Sequence, residues 1–213
     1  MDFCLYLITD RRVTHGGKSI EDVLDRAFDS GVRGMLLREK DMPSDELLSL
    51  ARRVRDITRR HQVRMLISGR ADIVAEVDAD GVQLTSNAPD IEAARKLLGD
   101  EKYVAVSTHS LAEAKSAESA GADFVTFGPV YETPSKIVYG QPAGIDKLEE
   151  VCKALSIPVF ALGGINEENA HFAMRAGAYG VAVISAVISA EDPGIGVKKL
   201  LDGIRSYKLG KLI

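Results

Sequence analysis

A short apolar run followed by a longer segment of helical periodicity, repeated from end to end, is what most restricts this chain. The runs lie at 4–9, 34–38, 64–68, 81–84, 103–107, 124–127, 158–162 and 180–185. Each is a few residues long, apolar and bounded by Gly, Pro or polar junctions, which reads as a buried strand. Between them come amphipathic segments such as 20–30, 44–60 and 111–120. In 44–60, Leu47, Leu48, Ala51, Val54 and Ile57 form one stripe, with Ser44 after Pro43 as the expected N-cap. Asn166 ahead of Glu167 and Glu168 marks another helix start. About eight βα units whose strands look apolar on both faces predict a (β/α)8 TIM barrel. A doubly wound open sheet is the alternative. The first strand–helix junction lacks the Gly-x-Gly-x-x-Gly fingerprint that such a sheet often carries.

Size agrees with one barrel domain over residues 1–213, since α/β barrels commonly need 200 to 250 residues. A net charge of -4 and the lack of a basic stripe argue against nucleic acid as a partner. No apolar run is long enough to span a bilayer and no leader pattern follows Met1, so no membrane association is expected. Cys4 and Cys152 stand far apart, without metal-ligand spacing, which suits a reduced, cytoplasmic setting.

In a barrel of this kind the functional face lies at the C-terminal ends of the strands. That rule selects Thr9-Asp10, Arg38-Glu39-Lys40, Ser68-Gly69-Arg70, Thr85-Ser86-Asn87, Ser107-Thr108-His109, residues 129–136, Gly163-Gly164 and Ser185. The segment after the sixth run is unusually long and carries Thr133, Ser135 and Lys136, two hydroxyls and an ammonium that suit phosphate oxygens. A solvated polar loop has the same composition. Gly163-Gly164-Ile165-Asn166 and Ile184-Ser185-Ala186 follow the seventh and eighth runs, where this fold usually grips phosphate. A plain tight turn is the competing account of the glycines. Strand alternation sends Arg38 and Lys40 one way and Glu39 the other. Pointing inward, the two cations, joined by Arg70, make a clamp for a second anion, whereas pointing outward they are a solvated cluster. His109 is the one histidine at a strand end and the candidate general acid or base, with helix capping as its alternative role.

These motifs resemble the thiamine phosphate synthase/TenI family. The likeness runs through Leu37-Arg38-Glu39-Lys40, Ala79-Asp80-Gly81-Val82, Val106-Ser107-Thr108-His109, Phe127-Gly128-Pro129-Val130 with Thr133-Pro134-Ser135-Lys136, Gly163-Gly164-Ile165 and Val183-Ile184-Ser185. The resemblance implies a (β/α)8 barrel in which Thr133, Ser135, Gly164, Ile184 and Ser185 hold a thiazole phosphate. Arg38, Lys40, Ser107 and Lys136 would face a pyrimidine diphosphate. The synthase joins these substrates, with magnesium, and releases pyrophosphate; a homodimer is the family's suggestion.

The chain also departs from the synthase pattern. The family's Gln ahead of Leu-Arg-Glu-Lys is Leu36, its Asn-Asp-Arg is Ser68-Gly69-Arg70, and its His-Leu-Gly-Gln is Gln83-Leu84-Thr85-Ser86. Both magnesium carboxylates are thereby lost, to Gly69 and Ala88, leaving Asn87 or Asp90 as substitutes. The losses resemble the TenI branch, whose thiazole tautomerase needs a phosphate grip and a proton carrier but no metal. The expected activity is therefore a metal-independent isomerase without cofactor. Its catalytic candidates are His109, Lys136, Arg38 and Lys40, with Ser107, Arg70, Thr133, Ser135, Gly163, Gly164, Ile184 and Ser185 binding substrate. The tautomerase's own histidine is Pro129 here, as in synthases. A divergent magnesium-dependent synthase and a non-catalytic thiazole-phosphate binder are the alternatives.

Overall fold

A computed structural model describes residues 1–85, 91–133 and 141–209. Eight strands close in sequence order into a parallel barrel, β8 pairing back onto β1. They are β1 (Leu5–Ile8), β2 (Gly34–Leu37), β3 (Arg64–Ser68), β4 (Gly81–Leu84), β5 (Tyr103–Thr108), β6 (Phe124–Phe127), β7 (Val159–Leu162) and β8 (Gly180–Val183). The helices between them are α1 (Ile20–Asp29), α2 (Ser44–His61), α3 (Ala71–Val77), α4 (Ile91–Leu98), α5 (Leu111–Ser119) and α6 (Gly144–Ala154). They end with α7 (Ala170–Arg175), α8 (Ser185–Ile188) and α9 (Pro193–Leu209). The open-sheet alternative is excluded by the β1–β8 pairing. None of the described helices is long and apolar enough to cross a membrane.

Why the strands read as continuous apolar runs is plain from the two clusters they feed. Leu7, Met35, Leu37, Met65, Ile67, Val82, Val104, Val125 and Val181 pack outward against the helices. Tyr6, Ile8, Leu36, Leu66, Ala105, Phe124, Phe160 and Ala182 fill the barrel. With both faces buried, alternation of polarity disappears. Phe3, Tyr6, Phe124 and Phe160 stack at centroid separations of 5.3 to 6.2 Å and plug the N-terminal end. Gly34 makes room for that plug, because a Cβ there would sit 2.4 Å from the Phe3 ring.

Two local expectations change. Pro43, not Ser44, caps α2; Ser44 is the first helical residue, and its hydroxyl receives Arg70 Nη1 at 2.8 Å. The buried stripe of α2 is Leu47, Leu50, Ala51, Val54, Ile57 and Thr58, so Leu50 replaces Leu48, which is half-buried at the edge. Asn166 does hold a turn, accepting from the Glu168 and Asn169 amides at 2.9 and 3.1 Å, but the helix proper starts at Ala170.

Candidate active site

Alternation on β2 continues past its end. Leu36 faces the barrel interior, so Arg38 follows it toward the mouth while Glu39 turns outward. Thr9, fully buried at the end of β1, accepts the Arg38 amide at 2.9 Å and fixes that turn. The Glu39 carboxylate is buried and committed: it takes the Arg11 amide at 3.2 Å on each oxygen and Arg11 Nη1 at 3.0 Å. Arg11 also makes a two-pronged pair with Asp41 at 3.0 Å. Asp10 is likewise engaged, accepting from Arg12 at 2.9 Å on both oxygens. The acids around the β2 end are thus neutralised by Arg11 and Arg12. Lys40 lies at the rim, its ammonium pKa lowered first by partial burial and then by the Arg38 charge. Two cations held this close favour an incoming anion.

Arg70 is placed differently from a clamp. Its Nε and Nη2 pair with Asp72 at 2.8 and 2.6 Å, and Nη1 reaches Ser44, so the guanidinium bridges the starts of α2 and α3. His109 is exposed just past β5, its Nδ1 hydrogen-bonded to the Gly128 carbonyl and its backbone amide given to Glu113 Oε2 at 2.8 Å. Those contacts tie the end of β5 to the segment after β6, with Nε2 as the ring's remaining nitrogen.

On the opposite side, Gly163 and Gly164 adopt φ of 98° and 65°. A Cβ on Gly164 would lie 2.5 Å from the Glu132 carbonyl oxygen, so only glycine lets the β7 end touch the segment leading to Thr133. The Gly164 carbonyl is held by Asn169 Nδ2 at 2.9 Å. Ser185, exposed, opens α8 behind Ile184, and the first bond of that helix runs from the Val187 amide to the Ile184 carbonyl. The amides of Ser185 and Ala186 precede it, in the position where this fold presents N–H groups to phosphate. Thr133 is half-buried. Ser135 and Lys136, and the substitutes Asn87 and Asp90, lie outside the described residues.

Ser107 lies on the inner wall of β5, its Oγ accepting from Gln83 Nε2 at 2.7 Å. Gln83 was absent from the expected site. Its signal was an amide inside the apolar run Gly81-Val82-Gln83-Leu84, where a core strand ordinarily carries another aliphatic.

Magnesium needs several hard oxygen ligands. At the end of β3 the chain offers Gly69, with no atom of the described residues within 4 Å of where a side chain would begin, and the neighbouring Asp72 is spent on Arg70. Among the described residues no three Asp, Glu, His or Cys side chains converge on a common point. The described residues at the β3 end thus offer no free carboxylate to an ion, and those at the β2 end offer the cations Arg38 and Lys40.

A family model described as thiamine monophosphate synthase matches residues 5–187. The chain is 49% identical to a putative thiamine-phosphate synthase of Geobacter sulfurreducens, over 94% of each sequence. It is 37% identical to the thiamine-phosphate synthase of a Roseiflexus species, over 92% of this chain and 83% of that one. Among solved structures, a thiamine phosphate pyrophosphorylase from Pyrococcus furiosus superposes with a TM-score of 0.87 at 33% identity, covering 96% of both chains. Motifs, barrel and relatives agree: this chain belongs to the thiamine phosphate synthase/TenI family.

Proposed function

We propose that the protein is a thiamine phosphate synthase, joining a thiazole phosphate to a pyrimidine diphosphate. The thiazole nitrogen forms a C–N bond to the pyrimidine's methylene carbon. The bond from that carbon to the diphosphate oxygen breaks, and pyrophosphate leaves with the electron pair. Positive charge grows on the carbon while negative charge grows on the departing oxygens, so the demand on the protein is a fixed cationic group at the leaving side. The observation that carries the reading is the Arg38–Lys40 pair at the end of β2, beside acids already bound to Arg11 and Arg12.

The tautomerase reading is less well supported. It needs a proton carrier, but Pro129 cannot be one, and His109 has Nδ1 on the Gly128 carbonyl. The names of the relatives favour the synthase too. Thiazole phosphate is assigned to Gly164, Ser185 and, from the sequence motif, Thr133, Ser135 and Lys136. A cytoplasmic setting suits two free cysteines.

The test is formation of thiamine phosphate from the two substrates by purified protein, with and without magnesium. Arg38→Ala and Lys40→Ala should each lower kcat/KM by about 10²- to 10³-fold, with thiazole phosphate affinity nearly unchanged. No product, together with proton exchange on a thiazole carboxylate phosphate, would replace this reading with the isomerase.

A further inference from the structure

The inner wall of the barrel holds, above the aromatic plug, a buried polar group that the bond-making chemistry leaves unused. Gln83 is 3% exposed, on the face of β4 that looks into the barrel. Its Nε2 donates to Ser107 Oγ at 2.7 Å and to Thr126 Oγ1 at 3.2 Å, and Thr126 donates onward to Ser107 at 3.3 Å. Its Oε1 is buried without a partner. Turning the amide over only exchanges the deficit: the hydroxyls would then donate to Oε1 and the NH2 group would be left without acceptors. A leucine of similar size would remove the penalty altogether, which is the solution β2 and β3 adopt with Leu36 and Leu66.

Of the other buried polar groups of the wall, the Tyr6 hydroxyl also lacks a partner but lies in the aromatic plug, and the rest are engaged. Thr9 receives the Arg38 amide, Thr108 donates to the Thr126 carbonyl at 3.0 Å, and Glu39 holds Arg11. Gln83 is also the only amide side chain on the inner wall among the described residues. Its register partner on β5 is Ala105, whose side chain ends at Cβ; Ser107 stands one inward position nearer the mouth. Below is the aromatic plug, so the open approach is from the C-terminal face.

A lone carbonyl acceptor in an apolar wall reads a flat group that brings one N–H donor at its edge. Of the two substrates in the synthase reading, on which this inference rests, only the aminopyrimidine has such a donor. The thiazole ring has none, and its nitrogen lone pair must stay free to attack. We infer that Gln83 is the specificity residue for the pyrimidine half, its carbonyl oxygen accepting a hydrogen bond from the ring's exocyclic amine. Ser107 and Thr126 hold the amide in that orientation, and Leu36 and Leu66 supply apolar contact to the ring.

The experiment compares the aminopyrimidine diphosphate with its analogue lacking the amine, in the wild-type protein, Gln83→Met and Ser107→Ala. Thiamine phosphate formation by the wild type is read first, because its absence overturns the synthase reading and this inference together. Given product, the wild type should favour the amine-bearing substrate by about tenfold or more in kcat/KM, the effect of one buried hydrogen bond left unmade. Gln83→Met should lose most of that preference, raise KM for the aminopyrimidine diphosphate and leave KM for thiazole phosphate unchanged. Ser107→Ala should give an intermediate preference. Wild type indifferent to the amine, which needs no variant to fold, would overturn the assignment. So would a preference that survives in Gln83→Met, or parallel rises in both KM values, the mark of a structural amide.

Discussion

Substituting Gly164 tests how the fold and the phosphate side of the mouth depend on each other. The residue sits at φ 65°, and an added Cβ would meet the Glu132 carbonyl oxygen at 2.5 Å and Tyr131 Cβ at 2.7 Å. Gly69 makes a matched control: its φ is 68°, but no atom of the described residues lies within 4 Å of its Cβ position. Both alanine variants carry the left-handed backbone cost, about 1–2 kcal/mol for a residue with a Cβ. Only Gly164→Ala adds overpacking, worth a further 1–3 kcal/mol or so when backbone must move. A difference of about 2 kcal/mol lowers Tm by roughly 4–8 °C in a chain of this size, so Gly164→Ala should melt that much below Gly69→Ala. The atoms forced to retreat belong to Tyr131 and Glu132, immediately before Thr133. Thiazole phosphate KM should therefore rise in Gly164→Ala and stay constant in Gly69→Ala. The assays are thermal unfolding followed by steady-state kinetics with thiazole phosphate varied. Equal melting temperatures and equal KM values in the two variants would refute the claim that close approach, rather than backbone conformation alone, requires glycine at 164.

Further outcomes follow from the ion pairs. Asp80 Oδ2 accepts Arg55 Nη1 at 2.7 Å and the Met65 amide at 2.9 Å, with both side chains largely buried. Asp80→Ala strands that guanidinium, whose Nε already lacks a partner, and should cost about 2–4 kcal/mol in urea unfolding; a loss below 0.5 kcal/mol or so would show the pair to be fully solvent-compensated. Asp10 is held below the usual carboxylate pKa, chiefly by the Arg12 hydrogen bond. A lowered folded pKa contributes stability above the unfolded value and loses it as pH falls through the folded one. Stability should consequently drop on the acid side of the ordinary Asp range, and Asp10→Asn should make that drop shallower. Identical acid limbs for the two proteins would contradict the assignment.

Much of the architecture was present in the primary structure. Eight apolar runs separated by helical periods lead to a closed parallel barrel because each helix must cover a strand on the outside while the strands cover one another within. The polar residues at the run ends mark the mouth by the same logic, and Arg38, Lys40, Ser107, Gly164 and Ser185 all sit at run ends in the sequence. What a run cannot disclose is which of its residues looks inward, since in Gly81-Val82-Gln83-Leu84 and its counterparts both faces are buried. Partners supplied from distant elements are invisible for a related reason. Arg70 turns to Ser44, twenty-six residues away, Glu39 to Arg11 and Gln83 to Ser107, and each pairing is decided by strand register and helix placement, not by neighbours in the chain. The sequence by itself determined the barrel and the polar residue types gathered at the ends of its strands. Only the tertiary structure decided which cations are already spent on internal acids, and that the oxygen of one buried amide has no partner while its nitrogen has two, because those facts depend on distances that local periodicity does not encode.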